Sequence, residues 1–462
     1  MRVLIVGSGT FGISTALSLK QRGHDVTVFE RLPIPSEDSS SNDITKVIRP
    51  DYGDDAQYMG GQMYQGLVIE AIKRFRQIDQ ETVKRYGKKS FIECGVVFAT
   101  LKEDMNPYEM SSYKALLKTE EYKSSMELLN HEKTTKLLGK DFADHYPNGY
   151  INRSAGYADS GLVITHYAQL AKEAGINFVI GKEAGLFSNY ISKDGKVVGI
   201  RTGDGKSHYG DAVLIAAGSW TPSLVPELKG LCEPTGQPVI HFKIPDDQKG
   251  KYIPSNFPVW FADMAQTGFY GFPLTPASEL KFAHHGAGYL STFHTRTAPS
   301  MKTASSAVIT SKSVPREAVV MYRTFLAKFF PTLNKLDISR TRLCWYCDAW
   351  DGNFYIDAVP GRSGLFVATG GSGHAFKFTP VIGDIVADVI EGKPNRYHQT
   401  LFKWRTPAQE ERAKVDNLKT EYEKNAKVLE SMIMADGEDL KAKTFLTGKL
   451  QKKPVQLPAG KL

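Results

Sequence analysis

Only four cysteines, Cys94, Cys232, Cys344 and Cys347, occur in 462 residues, too few to frame a fold with disulfides. Cys344-Trp345-Tyr346-Cys347 is a CxxC pair, yet structural zinc takes four ligands and the other two cysteines stand alone. A thioredoxin-like pair would sit at a helix start early in a small βαβ domain, and this one does not. His284 and His285 are adjacent but have no acid or cysteine at ligand spacing, so no metal is expected. No stretch approaches the ~20 consecutive apolar residues of a membrane span. A signal-peptide n-region is also missing, because the first apolar run is itself strand-like. An intracellular protein with no membrane partner is expected. Repeats, low-complexity blocks and nucleic-acid modules are absent. The net charge of +8 is spread thinly and is densest around Lys441, Lys443, Lys449, Lys452 and Lys453. It reads as a solvated basic face, with no nucleic-acid partner. No coiled-coil or exposed apolar stripe stands out, which favours a monomer.

Apolar residues make up 41% and charged residues 23%, ordinary values for a globular enzyme. The length supports two cores. The chain opens with the apolar run 2–6, then Gly7-Ser8-Gly9-Thr10-Phe11-Gly12, a helix-forming stretch, and a β-rich run ending in Glu30. This is a βαβ unit. Gly7 permits the tight turn, Gly9 lets the backbone approach a pyrophosphate, and Gly12 lets helix and strand pack closely. The helix start, with the amides of Thr10 and Phe11, faces the phosphates. Glu30 stands where an acid holds ribose hydroxyls and argues against a 2′-phosphate; Arg31 follows it at the same site. The motif alone does not separate NAD from FAD.

Further along, the pattern predicts helices over 57–77, 111–138, 163–174, 315–330 and 380–391, and strands over 91–100, 176–180 and 211–218. The strand 211–218 ends in small residues, as in flavoproteins with two dinucleotide-binding domains, and favours FAD. Short β-like runs fill 222–344. A second glycine cluster, Gly370-Gly371-Ser372-Gly373, follows a strand and precedes a helix. The expected architecture is α/β: a FAD-binding Rossmann-like domain assembled from 1–88, 150–221 and 345–405. A mostly antiparallel β substrate domain (89–149 and 222–344) is inserted in it, and 406–462 form a helical, basic tail.

Several pieces in register resemble the flavin-dependent amine oxidases that include monomeric sarcosine oxidase, pipecolate oxidase, saccharopine oxidase and the fructosyl amino acid oxidases (amadoriases). They are Gly7 to Gly12, Asn42-Asp43-Ile44-Thr45-Lys46-Val47-Ile48-Arg49, Phe269-Tyr270-Gly271-Phe272-Pro273, Glu279-Leu280-Lys281, Cys344-Trp345-Tyr346, Phe354-Tyr355-Ile356-Asp357 and Gly371-Ser372-Gly373-His374-Ala375-Phe376-Lys377. The resemblance implies FAD bonded covalently through Cys344, with Cys347 the rival candidate. It implies Lys281 beside the flavin on the face where oxygen reacts, and Lys46 as a second basic neighbour. Arg49 and Lys377 would hold a substrate carboxylate, and Tyr270 and His285 would line the pocket. His285 leans away from sugar amines, because amadoriases carry an acid there; Arg405 resembles a substrate-binding position of amadoriases and pulls the other way.

The activity implied is oxidation of a secondary or N-substituted amino acid to an imine, with O2 reduced to hydrogen peroxide. An amadoriase, a FAD- or NAD-linked dehydrogenase that does not use oxygen, and a non-catalytic flavin-binding partner protein are the alternatives. The ending Gly460-Lys461-Leu462 resembles a peroxisomal address, which ends in Ser-Lys-Leu. A peroxisomal or otherwise cytoplasmic location is expected.

Overall fold

A computed structural model of the chain describes residues 1–54, 60–101, 104–290, 301–302, 308–309, 313–408 and 427–450. The opening βαβ unit consists of β1 (Arg2–Val6), α1 (Thr10–Gln21) and β2 (Asp25–Glu30). It nucleates a six-stranded sheet in the order Tyr355–Ala358, Leu365–Thr369, Ala212–Ile215, β1, β2, Asn177–Ile180. All pairs are parallel except the edge strand Tyr355–Ala358. Side chains of a strand alternate between faces. Val3 and Ile5 therefore join the core under α1 and the helices Ser160–Glu173 and Thr379–Ile390. Leu4 and Val6 join a second core under the small antiparallel sheet Phe187–Lys193, Lys196–Thr202 and Ser207–Tyr209. A strand covered on both faces must be apolar where it is covered, and β1 is so from Val3 to Val6, with Arg2 exposed at its start.

Small residues let α1 and the helix Thr379–Ile390 touch. A Cβ on Gly383 would lie 2.2 Å from the Ser14 carbonyl oxygen, and the Ser14 hydroxyl accepts from the Gly383 amide at 2.9 Å.

The second sheet is longer and mostly antiparallel. Its path runs through Lys427–Val428, Tyr289–Leu290, Cys232–Lys243, Glu279–His284, Phe269–Gly271, Val259–Ala262, Val96–Thr100, Asn148–Asn152 and Met126–Leu129, and Ile338–Ala349 also pairs with Cys232–Lys243. The helix Arg316–Phe329 covers one face with Tyr322, Phe325 and Phe329, which pack on Trp260, Phe269 and Phe282. A three-stranded sheet of Lys46–Ile48, Gly156–Ala158 and Phe91–Ile92 lies where the chain passes between the two larger sheets.

Three regions differ from the sequence pattern. The run 111–138 is not one helix: Pro107–Leu117, Glu120–Lys123 and His131–Leu138 are separate, with the strand Met126–Leu129 between them. The side chains of Asn106 and Asn130 accept from the amides of Glu109 and Lys133, so each starts a helix afresh. The expected junctions at 149/150 and 344/345 fall inside the strands Asn148–Asn152 and Ile338–Ala349 of the second sheet. The chain crosses between sheets a few residues later than hydrophobicity alone indicates. In the expected helical tail, residues 427–450 hold the five-residue helix Ala442–Leu446 and otherwise a short strand and turns. Gly460, Lys461 and Leu462 lie outside the described residues. No helix among the described residues is long and apolar enough to cross a membrane.

Candidate functional site

The two large sheets meet at a cavity of about 1260 Å³, larger than the ~300–1,000 Å³ of an ordinary ligand pocket. Gly7, Gly9, Thr10, Phe11, Glu30, Arg31, Lys46, Arg49, Tyr270, Lys281, His285, Cys344, Gly371, Gly373 and Lys377 all line it. Gly12 stands behind the lining, where a Cβ would lie 1.9 Å from the Gly7 carbonyl oxygen.

At one end the glycine turn follows β1. Gly7 has φ +102°, and a Cβ there would lie 2.5 Å from the Ala216 carbonyl oxygen, so only glycine suits the position. The start of α1 faces the loop after β2: the Thr10 amide donates to Ser41 Oγ at 3.0 Å. Glu30 closes β2, its carboxylate accepting from the Ser8 amide at 3.2 Å and the Ser8 hydroxyl at 2.9 Å. Arg31 pairs with Asp38 at 2.9 Å and lies 4.9 Å over the Trp220 ring. A helix start, glycines that admit a close backbone approach and a fixed acid are the parts from which a dinucleotide site is built.

In the middle, Asp43 gathers positive charge. Lys281 Nζ donates to Asp43 Oδ2 at 2.6 Å and to the Thr45 carbonyl at 2.9 Å. Lys46 Nζ donates to the same Asp43 oxygen at 2.7 Å, and Arg342 approaches to 4.0 Å. Burial pushes Lys281 down to about 7, and Asp43 works against that shift. Burial also opposes the charge of Asp43, but Lys281, Lys46 and Arg342 outweigh it and hold the carboxyl well below the usual range. Thr45 lines the cavity beside them, and its buried hydroxyl has no hydrogen-bond partner.

Cys344 and Cys347 occupy opposite faces of the strand Ile338–Ala349. Cys344 packs with Val239, Ala283, Tyr270 and Tyr346, and it is close enough to Lys281 to act on its charge. Cys347 also lines the cavity, but it packs with Cys232 in the other core and accepts from Thr369 Oγ1 at 3.3 Å.

At the far end two cations share one aromatic wall. Lys377 Nζ donates to Tyr52 OH at 3.0 Å, and Tyr52 OH meets His374 Nδ1 at 2.7 Å. His374 Nε2 lies 3.1 Å from the Gly352 carbonyl, which can only accept, so the imidazole carries its proton there and Nδ1 accepts from Tyr52. Arg49 donates to the Asp51 carbonyl and lies over Tyr52, Phe98 and Phe261, at 5.2 Å from the Phe98 centroid. Burial, then repulsion by Arg49, pushes Lys377 well below its usual value. Burial opposes the charge of Arg49 as well, but Tyr108, Asp51 and Tyr52 hold it protonated. His285 is pushed down to about 4 by burial and then by Arg49 and Lys377. It faces the site as a neutral ring.

Arg405 is not brought to the cavity. It forms a two-pronged pair with Asp351 at 2.6 Å per contact, lies 4.1 Å over the Tyr355 ring and donates to the Phe354 and Asn353 carbonyls. The sequence did not single out Tyr52 or Glu109, and it gave Asp43 and His374 no role of their own. Asp43 and His374 stand inside motifs already quoted, so proximity to Lys46 and Lys377 was their signal. Glu109 has none: it lines the cavity from the helix Pro107–Leu117 with neither carboxyl oxygen partnered. Among the described residues no cluster of three or more His, Cys, Asp and Glu could hold a metal.

A model of the FAD dependent oxidoreductase (DAO) family matches residues 2–389. L-saccharopine oxidase of Schizosaccharomyces pombe is 31% identical over 430 residues, covering 87% of this chain and 93% of that protein. N-methyl-L-tryptophan oxidase of Salmonella typhimurium is 29% identical over 410 residues, covering 87% and 97%. Among solved structures, fructosamine oxidase (amadoriase II) from Aspergillus fumigatus superposes with a TM-score of 0.69 at 26% identity, covering 87% of this chain and 89% of that one.

Burial, then Asp263, raises the Glu109 carboxyl to about 8 from an ordinary 4.5, against opposition from Asn106 and Arg49. A folded-state value above the unfolded one means that its contribution is complete below pH 4.5 and is lost as pH rises towards 8. Urea unfolding at pH 5 and pH 9 should show Glu109→Gln gaining on the parent protein by a few kcal/mol at the higher pH, at up to ~1.4 kcal/mol per pH unit.

Proposed function

We infer that this chain, which belongs to the DAO family of FAD dependent oxidoreductases, is an FAD-dependent oxidase of N-substituted amino acids. It acts on their CH–NH group with oxygen as acceptor. Supporting this is the placement of two cations, Arg49 and Lys377, on one aromatic wall of a cavity whose other end is a dinucleotide cradle. An α-carboxylate suits that wall. The guanidinium offers a two-pronged fork and the ammonium a point charge, and a carboxylate between them relieves the mutual repulsion that lowers Lys377.

Bound FAD supplies the chemistry of taking a hydride from the carbon beside nitrogen and passing the electrons to oxygen, and the protein orients the partners and places charge. Tyr52 and His374 fix Lys377. Neutral His285 and Tyr270 complete the pocket without adding charge. The reacting nitrogen must be unprotonated, and two cations nearby favour that form. Lys281 puts a buried positive charge where negative charge develops as oxygen is reduced, which is electrostatic preorganisation. Cys344 is our choice for a covalent link to the flavin, since it shares a face with Ala283 and neighbours Lys281, whereas Cys347 turns to the opposite core. Secondary amino acids of the saccharopine, pipecolate or N-methyl type are favoured over sugar amines, because Arg405 is committed to Asp351 and His285 stands where amadoriases carry an acid.

Three measurements check these roles. Purified protein should consume oxygen and release hydrogen peroxide with N-substituted amino acids; reduction of a dye acceptor without oxygen uptake would point to a dehydrogenase instead. Lys281→Met should slow reoxidation of the reduced enzyme by oxygen about 100-fold or more, the scale of one lost electrostatic contact in a preorganised site, and an unchanged rate would remove its role. After acid precipitation the parent pellet should stay yellow, and the Cys344→Ser pellet should be colourless; a yellow pellet that instead loses its colour in Cys347→Ser would move the link.

A further inference from the structure

Glu109 stands in the first turn of the helix Pro107–Leu117, 1% exposed, and lines the cavity. Neither of its carboxyl oxygens has a hydrogen-bond partner. Its surroundings are Asn106 and Tyr108 on its own element, Arg49 on the neighbouring wall, Asp263 after the strand Val259–Ala262, and Tyr150 on the strand Asn148–Asn152. Asn106 lies alongside, yet its amide also lacks a partner of proper geometry. Folded proteins leave few buried polar groups unmet, because each one costs the desolvation of that group. Where such a group borders a cavity, a ligand can supply the missing bond.

The local charge says which kind of ligand. Asp263, behind the lining, is close enough to act on the Glu109 carboxyl, so an anion at Glu109 would be repelled by both. A cation is attracted by both. The nitrogen undergoing oxidation is a poor choice, because a carboxylate in contact would hold a proton on it and block loss of hydride from its neighbouring carbon. A different nitrogen, remote from the reacting carbon, meets neither objection.

We propose that Glu109, backed by Asp263, forms a subsite for a second, protonated nitrogen of the substrate, which makes the substrate a dibasic N-substituted amino acid. Its carboxylate lies at Arg49 and Lys377, and its second nitrogen donates to Glu109. The proposal rests on the functional reading for the carboxylate end only. A cation in contact favours the ionised carboxyl, and Glu109, held to about 8, is largely protonated at neutral pH. Binding therefore expels a proton. Arg49 stays charged and Tyr150 stays neutral throughout the working range; Lys377, pushed down by burial and Arg49, can take up a proton at the carboxylate end, so the proton from Glu109 is read as a difference between ligands that share that end.

Two pairs of probes test this with the holoenzyme. Nα-methyl-L-lysine and N-methyl-L-norleucine differ in the distal ammonium. Oxygen uptake should give the lysine derivative a KM about 10- to 100-fold lower, the scale of a hydrogen bond to a charged group, and Glu109→Gln should abolish the preference. In 6-aminohexanoate and hexanoate, which carry no N-substituted amine, only the former has an ammonium. Calorimetric titration at pH 7.5 in two buffers of different ionisation enthalpy should show more proton release with 6-aminohexanoate than with hexanoate, which shares its carboxylate, and no such difference in Glu109→Gln. Equal affinities within either pair, or a difference in proton release that persists in the variant, would overturn the subsite. So would an equal fall in kcat for both N-methyl amino acids in Glu109→Gln, which would make Glu109 the proton acceptor for the reacting nitrogen. Absence of oxygen uptake with every N-substituted amino acid would sink the functional reading instead, and the titrations would still decide on Glu109.

Discussion

One carboxylate, Asp43, lets this molecule bury positive charge at the meeting point of its parts. It and Lys281 are each 2% exposed, and removing one partner of such a pair strands the other at a cost of about 3–5 kcal/mol. Lys281 and Arg342 come from the second sheet, Lys46 from the small linking sheet, and Asp43 from the loop after β2. The backbone of the same residue is tied to the helix Ser160–Glu173: its amide donates to Ser160 Oγ at 2.9 Å, and its carbonyl accepts from Ser160 Oγ and the Gly161 amide, both at 2.9 Å. Covering helix, linker and second sheet are joined at one residue, beside the cavity.

The cavity is graded in charge along its length. Helix-start amides and Glu30 occupy one end, three cations around one carboxylate the middle, and Arg49 with Lys377 the far wall. Between the last two zones the titratable groups are kept neutral: His285 is held to about 4, and His374 lies well below its usual value by burial and by Lys377. Positive charge is thus confined to the places where an anion or developing negative charge would lie, with neutral aromatic and imidazole rings separating them. Glu109 stands apart from this scheme, a lining carboxyl whose oxygens are both without a hydrogen-bond partner.

Legibility in the sequence followed the range of the physics. The turn Gly7 to Gly12 was readable because its requirements are local: a positive φ at Gly7 and a 1.9 Å clash behind Gly12 permit no side chain. Lys281, Arg49, Lys377, His285, Tyr270 and Cys344 were found through short motifs, and the fold brings all six to one cavity. The helix start at Asn106 and the restart at Asn130 were missed because charged residues dominate that stretch and an asparagine cap is easily read as one more polar position. Glu109 could not be read at all. Its character comes from residues 49, 150 and 263, remote in sequence, and from a burial that no local pattern announces. Arg405 shows the converse: a motif drew it towards the substrate, while Asp351 and the Tyr355 ring, invisible as partners in the sequence, hold it elsewhere.

The order of strands in the six-stranded sheet bears on how the protein matures. β1 and its glycine turn are translated first, but the neighbour of β1 on one side is Ala212–Ile215, and the next strand, Leu365–Thr369, arrives with the second glycine cluster still later. Gly7 leans on the Ala216 carbonyl, so even the turn lacks its support until that strand has emerged. At the usual pace of synthesis, on the order of 5–20 residues per second, the glycine turn waits for tens of seconds before its cleft has walls. Cofactor loading consequently follows the emergence of Leu365–Thr369, however early the glycine turn is made.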